Sequence, residues 1–329
     1  MTSGLPFDDF RDLLKNLPGP DKAASARAAE RNARLSAQGV ELGRIAGISE
    51  WLAAWSGRAP QVARPLVALF AGTHEVARHG VSPRQISDTQ SLVEFCAAGG
   101  AAINQLCAAN DLGLKVFDLA LHLPVADITR EAALDERGCA ATMAYGMEAI
   151  AGGADLICAG SIGVGGSTVA AALMHGLFGG EAREWVGPGS GAEEAMMTRK
   201  AEIVARAVAL HSAHLKDPLE ALRRLGGREF AAIAGAILAA RMQKIPVILD
   251  GYTGLAAAAV LHQADETAIE HCLLGHVSTE PGMRKAAEIL GLKPLLDFSL
   301  GDGEGVGAAL AAGLVKNAAA VHSGMTIRT

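Results

Sequence analysis

Aromatic side chains are scarce in this chain: Phe, Trp and Tyr together make up 4% of its 329 residues. Recognition of unpaired nucleic acid depends on stacking bases against such rings, so that class of function is disfavoured. Charge is also sparse, at 19% Asp, Glu, Lys and Arg with a formal net charge of −6. An acidic balance argues against a binder of the phosphate backbone. With half of the residues hydrophobic, a disordered chain is excluded too. The cysteines, Cys96, Cys107, Cys139, Cys158 and Cys272, are odd in number and form no Cys-x-x-Cys pair. Neither a disulfide framework nor a zinc site is expected from them; reduced, buried thiols in a cytoplasmic protein are. A targeting signal is missing as well, because Asp8, Asp9 and Asp12 stand where a secretory leader needs Lys or Arg and then an apolar run. The longest uncharged stretch, 156–180, has the length of a membrane span. Its glycines, Ser161, Ser167, Thr168 and His175 fit a buried strand, a turn and a buried helix instead.

What the chain has in abundance is glycine, 39 residues, and alanine. Short apolar runs at 65–71, 114–119, 155–159, 246–249, 272–277 and 294–298 read as buried strands. Helical stretches lie between them, at 92–109, 140–151, 167–177, 193–215 and 229–242. Strands alternating with helices predict an α/β fold, a Rossmann-like doubly wound parallel sheet with helices on both faces. The first 60 residues are helical without a strand, at 21–35 and 49–55, and the last helix, near 304–321, has no strand after it. Residues 1–60 and 305–329 are therefore expected to form a small helical subdomain, and 61–304 a large domain carrying the site.

In such a sheet, ligands bind at the carboxyl ends of the strands, which directs attention to the loops. The first strand is followed by Gly72-Thr73-His74-Glu75-Val76, where His74 and Glu75 are either functional groups or solvated turn residues. The third is followed by 160–168, Gly-Ser-Ile-Gly-Val-Gly-Gly-Ser-Thr, opening into an Ala-rich helix. Backbone N–H groups of Gly163 and Gly165 at a helix start, with the hydroxyls of Ser167 and Thr168, suit an anion; the bland reason for the glycines is close helix–sheet packing. No Gly-Lys-Ser/Thr is present, and the glycine spacing fits a dinucleotide fingerprint poorly. A nicotinamide-dependent oxidoreductase is correspondingly disfavoured. A second turn, Gly187-Pro188-Gly189-Ser190-Gly191, precedes a helix that carries Lys200. Two anion-friendly turns with a lysine point to a phosphorylated small molecule. Asp250, at the end of the fourth strand, binds a hydroxyl or caps the next helix. Ser278 and Glu280 read as caps before Pro281. Finally, 301–307 reads Gly-Asp-Gly-Glu-Gly-Val-Gly. Burial raises a carboxyl pKa and a helix N-terminus lowers it, so Glu304 is either a general base near neutral pH or a group that only stabilises the helix start.

Taken in order, segments 66–76, 80–83, 99–104, 160–173, 185–191, 228–241, 250–260, 275–282 and 303–313 resemble the nicotinate-nucleotide–dimethylbenzimidazole phosphoribosyltransferase family, in its proteobacterial branch, over nearly the whole length. The resemblance implies a cytoplasmic homodimer with the fold read above, no metal and no cofactor. It implies that a benzimidazole-type base displaces nicotinate from C1′ of nicotinate mononucleotide, giving α-ribazole 5′-phosphate for cobalamin assembly. Glu304 would be the catalytic base, facing a water-poor cleft. Gly163, Gly165, Ser167, Thr168, Gly187, Gly189 and Lys200 would hold the nucleotide phosphate, and His74, Ser82 and Gln85 the incoming base.

The sequence departs from the family pattern around the pocket. Thr73 and Glu75 flank His74 where Asp or Asn and Gly are usual, and Arg84, Gln85 and Ile86 follow Ser-Pro where an aromatic and a proline are usual. Ser161 replaces a Glu, Gly166 an Asn, Gly301 and Asp302 an Arg-Leu pair, and Met283 a His. These changes are compatible with altered base preference, or with a catalytically weak paralogue that binds a nucleotide or an aromatic base. Membrane and nucleic-acid partners are not expected.

Overall fold

The computed structural model describes residues 5–301 and 303–327. Strands β1 (Pro65–Ala71), β2 (Gly113–Asp118), β3 (Leu156–Ile162), β4 (Val247–Leu249) and β5 (Cys272–Leu274) form one parallel sheet in the order β2-β1-β3-β4-β5. Two further strands, β6 (His276–Ser278) and β7 (Leu296–Leu300), pair parallel in a small second sheet. The expected α/β architecture is what the chain adopts.

Burial on both faces explains why the strands read as unbroken apolar runs: β1 and β3 are buried at every position. Side chains alternate between two cores, as the strand period requires. Leu66, Ala68 and Phe70 face the helices Glu136–Ala149, Gly166–Phe178, Arg228–Met242 and Gly251–Ala264. Val67, Leu69 and Ala71 face Arg44–Ser56, Ala102–Asn110 and Val306–Gly324. Small residues bring these layers close. A Cβ on Gly146 would stand 1.9 Å from the Ala232 carbonyl oxygen, and one on Gly235 would stand 1.9 Å from that of Met143. The helices Glu136–Ala149 and Arg228–Met242 therefore cross backbone to backbone. All five cysteines are buried and free.

Helices from the two chain ends meet. Asn32 Oδ1 lies 2.9 Å from His322 Nδ1, and Arg31 Nε donates to the His322 carbonyl at 2.6 Å. The first helix, Asp8–Leu14, instead places Phe10 and Leu14 in the core on the opposite side of the sheet.

Two elements differ from the sequence expectation. The expected helix 92–109 is two helices, Asp88–Ala97 and Ala102–Asn110, because Gly99 takes φ +80° and ends the first. Together, Asp88–Asn110 has the length and mean hydropathy (1.3) of a membrane span, but the break at Gly99 interrupts it. The expected strand 272–277 is divided at Gly275 between the two sheets. Gly275 donates its N–H to Leu249 O at 3.0 Å and accepts from Leu296 N at 3.1 Å. A Cβ there would lie 3.0 Å from Ala308 Cα and 3.1 Å from Leu249 O, so a side chain would crowd the backbone at the crossing.

Candidate active site

The order β2-β1-β3-β4-β5 reverses direction between β1 and β3. A crevice opens at the carboxyl ends of strands beside such a switch point. Here it is a cleft lined by Ser82 and Pro83 from the loop after β1, by Gly163, Gly165 and Ser167 from the loop after β3, by Gly189 and Ser190, and by Lys200. Gly165 has φ +91°, a conformation costly for other residues, and leads into the first turn of Gly166–Phe178. The helix dipole points its positive end into the cleft.

Lys200 is buried within Glu194–His211 and reaches the cleft floor. Its ammonium donates to the Gly187 carbonyl at 2.6 Å and to Ser167 Oγ at 3.1 Å. Two of the expected anion-binding segments are thus tied together by one cation. Glu280, the N-cap of Pro281–Ile289, closes the cluster from behind: it is 1% exposed and its Oε1 accepts the Gly189 N–H. Burial pushes the Glu280 carboxyl above its usual pKa, against the opposing pull of Lys200 and the N–H groups of Gly189 and Gly187.

Glu304, in the turn after β7, meets the other end of the loop that follows β3. Its N–H donates to the Ser161 carbonyl at 3.0 Å, at the carboxyl end of β3 and two residues before Gly163. Its backbone takes φ +63° between Gly303 (φ +96°) and Gly305 (φ +78°). A glutamate in that region is strained by about 1–3 kcal/mol and persists only where its surroundings fix it. Asp250 is one such fixture. Its two carboxylate oxygens accept from Gly305 N and Ala308 N, both at 2.9 Å, binding the end of β4 to the start of Val306–Gly324. The expected cap on the next helix is not made: the Asp250 side chain forms no bond to the start of Gly251–Ala264 and caps instead a helix 55 residues away. Asp250→Ala leaves two buried N–H groups without acceptors and is expected to lower the unfolding free energy by about 2 kcal/mol or more. Urea denaturation reads the effect; unchanged stability would mean that other contacts hold the Glu304 turn.

The Glu304 carboxylate faces Arg84 Nη1 at 3.4 Å, and its side chain is 34% exposed. The cleft mouth is thus more open to water at Glu304 than the sequence reading supposes. Arg84 belongs to the loop that supplies Ser82 and Pro83, so the pair joins that wall of the cleft to the Glu304 turn.

Several expected residues stand elsewhere. His74 is 1% exposed and shares a short hydrogen bond with Glu229, itself 1% exposed. A Cβ on Gly72 would lie 2.1 Å from Glu229 Oε2, and one on Gly227 would lie 2.4 Å from His74 Cε1. The imidazole therefore lies beneath the loop, where it cannot touch a molecule in the cleft without movement of that loop. Thr168 is wholly buried one residue past Ser167, its hydroxyl unpaired and turned from the cleft lining. Gln85 is exposed, and its N–H donates to Asp88 Oδ2 at 2.8 Å. Gly187 contributes its carbonyl to Lys200.

The departures from the family pattern also have places. Thr73 Oγ1 donates to Leu121 O at 3.0 Å inside the protein, while Glu75 pairs with Arg78 near the surface. A Cβ on Gly166 would meet Thr253 Oγ1 at an ordinary 3.5 Å, and one on Gly301 would meet nothing within 4 Å. Met283 Sδ accepts from Ser278 Oγ at 3.2 Å. The Ile86 carbonyl accepts from Thr89 N at 3.1 Å. Asp302 lies outside the described residues. Sequence reasoning treats Glu280 only as a cap and passes over Glu229; an acid before a Pro-led helix, and one at the start of an Ala-rich helix, carry no local sign of a buried partner.

Comparison with known proteins agrees with this architecture. A family profile described as phosphoribosyltransferase matches residues 17–329. Over 323 residues the chain is 63% identical to the nicotinate-nucleotide–dimethylbenzimidazole phosphoribosyltransferase of Rhizobium etli and 64% identical to that of Rhizobium meliloti, covering 98% of this chain and 96% of each relative. The crystal structure of the protein so named from Thermus thermophilus superposes with a TM-score of 0.85 at 34% identity, over 93% of this chain and 97% of that one. The chain belongs to the nicotinate-nucleotide–dimethylbenzimidazole phosphoribosyltransferase family.

Proposed function

We infer that the protein moves the ribose 5-phosphate of nicotinate mononucleotide to a benzimidazole-type base, giving α-ribazole 5′-phosphate and nicotinate. The observation that carries this is the span of one loop. From Ser161, which anchors Glu304, to Ser167, which Lys200 grips, the chain links a carboxylate to an anion cradle. A nucleotide phosphate in the cradle sets its sugar toward the carboxylate. Identity of 63–64% across 98% of the chain favours the transferase over a catalytically weak binding paralogue.

In this reading, the unprotonated ring nitrogen of the base attacks C1′ while the bond from C1′ to the nicotinate nitrogen breaks. Nicotinate leaves with the bonding electrons. The alkylated base then carries a positive charge, and its remaining N–H proton passes to the Glu304 carboxylate. The same carboxylate lies near a sugar carbon that becomes cation-like, which lowers the barrier electrostatically. The bound base covers Glu304, displaces Arg84 and removes water. Ser82, at the same wall, contacts the base; Gly163, Gly165, Ser167 and Gly189 hold the phosphate with Lys200. Asp250 positions Glu304, and the His74–Glu229 pair supports the loop from below.

A cytoplasmic homodimer belongs to the same proposal. Helices Asp88–Ala97 and Ala102–Asn110 are apolar yet only partly covered, with Phe95 53% exposed, as suits a face that meets a second copy.

Purified protein given nicotinate mononucleotide and 5,6-dimethylbenzimidazole is expected to form α-ribazole phosphate with one nicotinate released per product. A panel of other aromatic bases, read by chromatography, tests preference. Nucleotide binding without turnover of any base would instead support the binding paralogue.

A further inference from the structure

Glu280 is a buried ionisable group that the transfer chemistry does not use. One carboxylate oxygen is bonded to the Gly189 N–H, in the turn that lines the cleft; the other, Oε2, is buried with no hydrogen-bond partner. A Cβ on Gly187 would lie 2.8 Å from that Oε2, and one on Gly189 would lie 3.4 Å from Lys200 Nζ. Glu280 and Lys200 therefore flank one turn of three residues. In the free protein the two charges balance.

A phosphate monoester is close to a dianion at pH 8, its second pKa being about 6. Entering beside Ser167, Gly189 and Lys200, it would make a compact group of one buried cation and two buried anions. Like charges brought together out of water favour protonation of one of them. Glu280 is suited to accept, since its buried Oε2 makes no well-formed hydrogen bond and has only the Gly187 N–H near it. We propose that Glu280 takes up a proton from solvent when a nucleotide phosphate occupies the cleft, so that substrate binding is proton-linked. The carboxylate becomes a neutral acid, and Lys200 then pairs with the phosphate. Burial of Glu280 already moves it in this direction before the ligand arrives.

The other groups around Glu280 do not supply the proton change. Helix Glu194–His211 contributes Lys200, whose ammonium is already bonded to the Gly187 carbonyl and to Ser167 Oγ. The 187–189 turn presents backbone, and Ser278 presents a hydroxyl that accepts from Glu280 N at 3.3 Å. On the Glu280 helix itself, Lys285 pairs with Glu184 nearer the surface.

The inference rests on the cleft being the nucleotide site. Calorimetric titration of the full protein with nicotinate mononucleotide at pH 8, in two buffers of different ionisation enthalpy, gives the number of protons taken up. About one proton per nucleotide is expected for the natural protein and about none for Glu280→Gln, whose amide mimics the protonated acid. Affinity of the natural protein should fall about tenfold per pH unit on the alkaline side, while that of the variant stays level. Binding without proton uptake by the natural protein would overturn the inference and leave the site intact. Uptake that persists in Glu280→Gln would place the proton elsewhere and overturn it equally. Failure of the nucleotide to bind would reject the cleft assignment, and the inference with it. Absence of uptake by the natural protein overturns the inference even if the variant does not fold.

Discussion

Replacing Glu304 by Gln is expected to lower turnover by about 10²-fold or more while nucleotide affinity changes by less than about threefold. The amide is the same size as the carboxylate and leaves the backbone bond to Ser161 in place. What it lacks is a site for the base's proton and a negative charge beside the developing sugar cation. The split matters more than the size of the loss, because a distorted protein would lose nucleotide binding too. Steady-state turnover with 5,6-dimethylbenzimidazole and an equilibrium titration with nicotinate mononucleotide separate the two. Turnover near that of the natural protein would remove Glu304 from the chemistry.

Lys200→Met is expected to act on the opposite term. Methionine keeps an apolar stem in a wholly buried position but cannot bond Gly187 O, Ser167 Oγ or a phosphate. A charge-assisted hydrogen bond contributes about 1.5–3 kcal/mol, so nucleotide affinity should fall about 10- to 100-fold. The loss has a second source, since Lys200 also clasps the 187–189 turn against Gly166–Phe178. Inorganic phosphate used as the ligand reads the anion site without the rest of the substrate. If phosphate and nucleotide bind the variant as they bind the natural protein, the cradle is not where the phosphate sits.

These two residues illustrate what was legible beforehand. Glu304 announces itself locally, because a carboxylate enclosed by glycines at a helix start is unusual over only five residues. The loop at 160–168 does the same, and its strand is apolar on both faces, so both are read from short-range pattern. The groups that give these loops their shape are remote. Glu280 meets Gly189 across 91 residues, Asp250 meets Gly305 across 55, and Arg84 meets Glu304 across 220. No periodicity records such contacts. His74 shows the converse. A histidine at a strand end reads as displayed to the cleft, but its partner Glu229 lies 155 residues later and draws it inward. Glycine misleads in a similar way at Gly99 and Gly275, where conformation at the first and lack of space at the second interrupt runs that look continuous.

The openness of the cleft at Glu304 has the same origin. From sequence, a dry pocket follows from the chemistry required. In the folded chain the carboxylate is a third exposed and held toward Arg84, so dryness has to arrive with the base. The strained backbone at Glu304, fixed by Ser161 and by Asp250 through Gly305, keeps the carboxylate at the cleft while its tip stays able to exchange one partner for another.

A crystal structure with α-ribazole 5′-phosphate bound tests this arrangement most directly. The phosphate is expected against Ser167, Gly189 and Lys200, with the benzimidazole between Ser82 and Glu304. The Glu304 carboxylate should have left Arg84 to lie within about 3–3.5 Å of the base's free nitrogen. A product lying elsewhere, with the Arg84–Glu304 pair unbroken, would contradict the account.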